Sequence, residues 1–185
     1  MLTYHFELSK LLLLYPTKKG FIIAPQYLAS LQELVSQLSL PFSIVILSLK
    51  LIQRFLNSNS NTSSFSNSTI NYYYLVAALT LSTKLYDDNH FSQKIWSSLS
   101  GIEIKILNRV EIELLSKLNF QLHVSEEEYS IWIMELIDFI STLEVKNDKL
   151  KNWKITRKSN GLSCLRDQFQ QIYNCVSSSP TSIKS

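Results

Sequence analysis

From Ile70 to Tyr86 the chain reads INYYYLVAALTLSTKLY, and Lys84 is the only charge in that run. At about 100° per residue the apolar side chains cover nearly the whole circumference of a helix, so other elements must enclose it on most sides. Downstream, Ile104 to Leu118 reads IKILNRVEIELLSKL. Ile104, Leu107, Leu114, Leu115 and Leu118 share one stripe of that helix, and Glu111 falls in its middle. A carboxylate on a core-facing stripe is costly unless something neutralises it. Lys84 and Glu111 are therefore expected to meet where their helices pack and to offer a charged pair to something outside. The plain alternative is an internal salt bridge that locks two helices together. Such a bridge adds little net stability over an apolar replacement, which makes stability a poor reason to keep one.

The rest of the chain supplies helices to surround that run. Three glycines, each isolated, and four prolines leave little turn chemistry for hairpins, which argues for an all-α fold. A helix is expected from Ala24–Pro25 to about Leu38, and another from Pro41 to about Asn57, with Ile44, Leu47, Leu51 and Phe55 towards the core. Ser39, before Leu40-Pro41, is a candidate N-cap for the second. Residues 57–69, NSNSNTSSFSNST, are Asn, Ser and Thr apart from Phe65 and read as a flexible insertion. After Asp87-Asp88-Asn89-His90, a short helix over about Phe91–Ser97 and a turn at Ser98–Gly101 lead into the Glu111 helix. A further helix spans Glu126–Leu143, its three leading glutamates suited to a helix N-terminus. The organisation expected is an N-terminal arm (1–23), a helical domain (24–143) and a basic, then serine-rich, partly disordered tail (144–185).

Catalytic machinery is missing from the pattern. No phosphate loop or nucleophile elbow occurs. His5, His90 and His123 lack neighbours at ligand spacing, so neither a metal nor another cofactor is expected. Cys164 and Cys175 form no CxxC and read as free thiols of an intracellular protein, a tail disulfide being the alternative. The net charge of +3 does not call for a nucleic-acid partner, and no segment reads as a membrane span. Tyr72, Tyr73 and Tyr74 read as packing at a buried helix start rather than a binding platform. Lys146, Lys149, Lys151, Lys154, Arg157 and Lys158 surround Trp153; a solvated basic tail is the plain reading, a nuclear-import signal or a docking site for acidic substrates the functional one. Ser179-Pro180 is a candidate phosphorylation site.

The ordering of these residues resembles the cyclin box. The matching pieces are Ala77-Ala78, Leu81-Ser82-Thr83-Lys84 with acids just after, Trp96 before Gly101-Ile102, Leu107-Asn108, Glu111, Leu115, Leu118-Asn119-Phe120 and Leu122. Upstream, Ile52-Gln53-Arg54-Phe55-Leu56 is similar to the end of the box's second helix. The likeness covers about residues 24–124. It is nearest to the fungal single-box Pho/Pcl-type cyclins, through Asp87-Asp88, Trp96 with Ser-Gly-Ile, and the polar insertion. About 60 residues follow Val124, too few for a second five-helix box. Gln53 departs from the aspartate that many two-box cyclins carry before the arginine.

The resemblance implies a five-helix core with flanking helices. It also implies a regulatory subunit, not an enzyme, that binds and activates a Pho-type cyclin-dependent protein kinase in the nucleus or cytoplasm and helps to direct substrate choice. Lys84 and Glu111 would hold the kinase's mobile helix, and Asp88 or Asp87 would pair with an arginine cluster at the rim. Two other readings stand beside it. One is a transcription adaptor resembling transcription factor IIB, which a broad basic face across the box would favour. The other is a kinase-independent scaffold, favoured if Lys84 and Glu111 failed to share one surface.

Overall fold

The enclosed run forms a helix over Ser68–Tyr86, and two others pack along it. The computed structural model describes residues 27–58, 68–88, 91–151 and 160–177. These hold seven helices and no strand: α1 (Tyr27–Gln37), α2 (Phe42–Ser58), α3 (Ser68–Tyr86), α4 (Gln93–Ser100), α5 (Ile104–Lys117), α6 (Glu126–Lys151) and α7 (Asn160–Ser177). The expected N-terminal arm, the centre of the Asn/Ser insertion, half of the basic cluster (Lys154, Arg157 and Lys158, with Trp153) and the serine-rich end lie outside the described residues.

The chain divides at Leu122 into two units. In the first, α3 packs against α2 and α5, α1 against α4, and α4 against α5. Every described α3 side chain from Asn71 to Thr83 except Tyr73 is buried, as the circumferential pattern requires. Thr80 and Thr83 fit there because their hydroxyls donate to the Val76 and Leu79 carbonyls, each at 2.9 Å. Tyr72 stacks on Tyr27 (centroids 4.2 Å apart, 7° between planes) and donates to the Ser100 carbonyl at 3.0 Å. Tyr74 packs on Phe55 and donates to Glu113 at 2.6 Å. Tyr72 and Tyr74 are thus packing residues.

Several details depart from the sequence reading. α2 is not one-sided: Ile44 to Gln53 are all buried, Lys50 among them. Lys50 Nζ donates to Gln53 Oε1 one turn on, at 2.8 Å, which lets a charged side chain lie inside. Ser39 does not cap α2. It takes a left-handed φ of 48° and closes α1 instead, its N–H on the Ser36 carbonyl while the Leu40 N–H reaches Val35. That is a Schellman closure with serine in the glycine position. Pro41 then opens α2, its carbonyl accepting from Ile44 and Val45. α4 runs on to Ser100, through the expected turn, and ends at Gly101, whose φ of 70° glycine adopts without strain.

The second unit begins at His123, so α6 groups with α7 rather than with the five helices before it, short of the boundary read at 143. Ser125 caps α6, its hydroxyl accepting the Glu128 N–H at 3.2 Å. The bonds around Glu127, from its own backbone N–H and from Ser125, hold its carboxyl below the usual range. α6 continues to Lys151 and α7 spans Asn160–Ser177, where composition suggested a tail. Trp132, Ile133, Leu136, Ile140 and Phe169 are buried, which explains the extra helix: Phe169 and its neighbours recur at helical spacing within a polar stretch.

Candidate partner-binding site

Lys84 and Glu111 meet. α3 leaves the core after Thr83, so its last turn emerges and the Lys84 side chain is 40% exposed while Glu111 stays 12% exposed. Lys84 Nζ lies 2.5 Å from Glu111 Oε1. The second carboxylate oxygen, Oε2, accepts from Gln93 Nε2 at 2.8 Å, and the same amide nitrogen donates to Asn108 Oδ1 at 2.9 Å. Three helices therefore converge on one carboxylate: α3 through Lys84, α4 through Gln93 and α5 through Glu111 and Asn108.

Local sequence explains each placement. Trp96 is fully buried, edge-on to Phe91 (83° between rings), and anchors α4. Gln93 lies one turn before it and so shares its face. Asn108 lies one turn before Glu111 on α5 for the same reason. Sequence reasoning passed over Gln93; its spacing from Trp96 was the available signal.

Exposed apolar side chains adjoin the charged pair in sequence: Leu85 (47% exposed) follows Lys84, and Ile112 (64%) follows Glu111. At the end of α5, Phe120 is 70% exposed. Asn119 and Phe120 both take left-handed φ values, 51° and 57°. The Asn119 N–H reaches Ser116 and the Phe120 N–H reaches Leu115, again a Schellman closure. The residues after Phe120 are tethered from two helices: Arg54 donates to the Gln121 carbonyl at 3.0 Å and Tyr86 to the Leu122 carbonyl at 3.1 Å. A bulky residue at positive φ persists only where its surroundings over-determine it.

Asp87 is half-buried, its N–H continuing α3 to the Thr83 carbonyl, and Asp88 is exposed just beyond. The site holds neither a nucleophile beside a base nor a group of described residues arranged to hold a metal ion. What it can do is recognise: an ammonium and a carboxylate fixed in one geometry, with apolar surface beside them.

The family model described as Cyclin matches residues 9–122, the first unit. The chain belongs to the cyclin family. Its five-helix box is α1 to α5. Among curated relatives, PHO85 cyclin-5 of Saccharomyces cerevisiae is 37% identical over 57 residues, 31% of this chain and 25% of the relative. PHO85 cyclin CLG1 of the same yeast is 26% identical over 129 residues, 68% of this chain and 27% of the relative. Cyclin-U3-1 of Arabidopsis thaliana is 31% identical over 55 residues, 30% and 25% of the two chains. The cyclin thus covers about a quarter of each of these relatives. No solved structure gives a significant match. Among the described residues no helix is long and apolar enough to cross a membrane.

Proposed function

We propose that this cyclin is the regulatory subunit of a cyclin-dependent protein kinase of the Pho type, and that it grips the kinase's mobile helix through Lys84 and Glu111. The carrying observation is that pair: it lies at an emerging helix end in a cyclin box, held in one geometry by a third helix and bordered in sequence by exposed Leu85 and Ile112. The exposed lysine retains N–H groups for partner carbonyls, and the apolar residues supply area. Phe120, held outward, adds an aromatic anchor of the kind that dominates interfaces. Asp88 and Asp87 at the end of α3 would meet basic groups on the partner that a phosphate would otherwise occupy. Binding works by selection: a rigid surface complementary to the kinase's active conformer raises that conformer's population. The phosphoryl chemistry belongs to the partner, and substrate choice follows from the surface the complex presents. Two of the three relatives carry PHO85 in their names, which supports the Pho type.

The test is co-purification of the tagged chain with the purified Pho-type kinase subunit of Saccharomyces cerevisiae, followed by a kinase assay. The wild type should retain the kinase and stimulate it. Lys84→Ala/Glu111→Ala should remain folded and lose about 2–5 kcal/mol of binding, the range for a desolvated charge pair. Failure of the wild type to retain any kinase, or undiminished binding by the double variant, would reject the proposal.

A further inference from the structure

Gln93 is the member of the charged cluster whose presence stability does not explain. Its Nε2 uses both protons, on Asn108 and Glu111. That fixes the amide's orientation, because turning it over would set an oxygen against two other acceptors. Oε1 is consequently held in a buried place without a hydrogen-bond partner. A buried unsatisfied acceptor costs about as much as the charge-assisted bond to Glu111 returns, so the amide adds little net stability. Nothing in the packing of α4 requires it: Trp96 anchors that helix, and an apolar side chain of the same length at 93 would pack without stranding that oxygen.

We infer that Gln93 is a positioning residue for the partner-binding pair, clamping Glu111 Oε2 so that Oε1 and the Lys84 ammonium keep the geometry a partner meets. The inference rests on the kinase-binding reading and deepens it. A glutamate has three side-chain torsions, and a carboxylate gripped only by a partly exposed lysine would sample several of them. Held at Oε1 from α3 and at Oε2 from α4, it has one arrangement, so less freedom is lost when the partner docks. Asn108 completes the relay by holding the other proton of the amide and hence the plane of Gln93. The clamp also ties the short helix α4 to recognition, although α4 carries neither member of the pair.

Affinity for the purified Pho-type kinase subunit of Saccharomyces cerevisiae, measured by calorimetry beside each variant's melting temperature, tests this on the full chain. Gln93→Met keeps the length and removes donor and orphan together. It trades the orphan oxygen of Gln93 for an unfilled Glu111 Oε2, so it should melt within a few degrees of the wild type yet bind about tenfold more weakly, the factor one lost charge-assisted hydrogen bond carries. Gln93→Lys, which returns a donor to Glu111 without an orphan oxygen, should recover most of the affinity. Asn108→Ala, at an exposed position that tolerates truncation, should weaken binding by a smaller factor. Gln93→Met binding like wild type removes the inference, as does a joint fall of affinity and melting temperature that Gln93→Lys fails to restore. Those results would leave the kinase reading intact provided Lys84→Ala/Glu111→Ala has lost binding. A wild type that does not bind, or a double variant that binds undiminished, rejects the kinase reading and this inference with it.

Discussion

Lys84→Met leaves the Glu111 carboxylate, 12% exposed, with Gln93 as its remaining donor among the hydrogen bonds described above. Because the lysine is 40% exposed, the pair contributes less than a fully buried one, and the single substitution should lower unfolding free energy by about 1–2 kcal/mol. Lys84→Met/Glu111→Leu should melt at or above the wild-type temperature, since apolar replacement of both partners removes the desolvation cost, yet fail to bind the kinase. Thermal melts beside binding titrations would check both, and a double variant less stable than Lys84→Met alone would contradict the argument. Tyr72 carries a pH prediction. Burial, the largest cause, pushes its hydroxyl up to about 12 from 10.0, reinforced by Tyr27 and Tyr73 and opposed by a hydrogen bond with Ser30. The folded state therefore favours the neutral phenol. Its contribution is full below pH 10 and lost as pH rises through about 12, roughly 3 kcal/mol in all. Denaturant titrations of Tyr72→Phe should show a shallower loss over that window, with the remainder due to Tyr74 and Tyr129, which burial also raises.

At the scale of elements, the end of α5 shows local preference overruled. A phenylalanine at φ 57° stores on the order of 1–2 kcal/mol, and it stays there because Arg54 from α2 and Tyr86 from α3 hold the next two carbonyls. Phe120→Gly should therefore stabilise the free chain by about 1 kcal/mol while weakening kinase binding, because an exposed aromatic is lost. Equilibrium unfolding and calorimetry would show the two effects moving in opposite directions; a loss of stability would mean the ring is packed in solution. α2 makes the complementary point. Apolar spacing placed Ile44, Leu47, Leu51 and Phe55 towards the core, whereas Lys50 and Gln53 lie inside as well, joined by a hydrogen bond. Pattern reasoning counts polar residues as solvent-facing and does not see them satisfy one another.

At the scale of the molecule, the cyclin match ends at Leu122, where the packing also divides. A fragment of residues 1–125 should keep the cooperative melt of the box and bind the kinase within about threefold of the full chain, a difference below 1 kcal/mol. A fragment that fails to melt cooperatively would show that α6 and α7 are needed for the box. The residues alone determined that the chain is helical, that α3 is enclosed and that Lys84 and Glu111 belong together, because burial periodicity and the penalty on a lone buried charge are local consequences of composition. The ordering of Trp96, Gly101 and Glu111 after Lys84 sufficed to suggest the family. Tertiary structure alone decided that Gln93 reaches the other oxygen of Glu111, that Ser39 closes one helix instead of opening the next, and that Phe120 faces solvent. Each of these turns on a hydrogen bond or a packing contact set by how chain segments converge, and a linear pattern carries periodicity but not the partner across the gap.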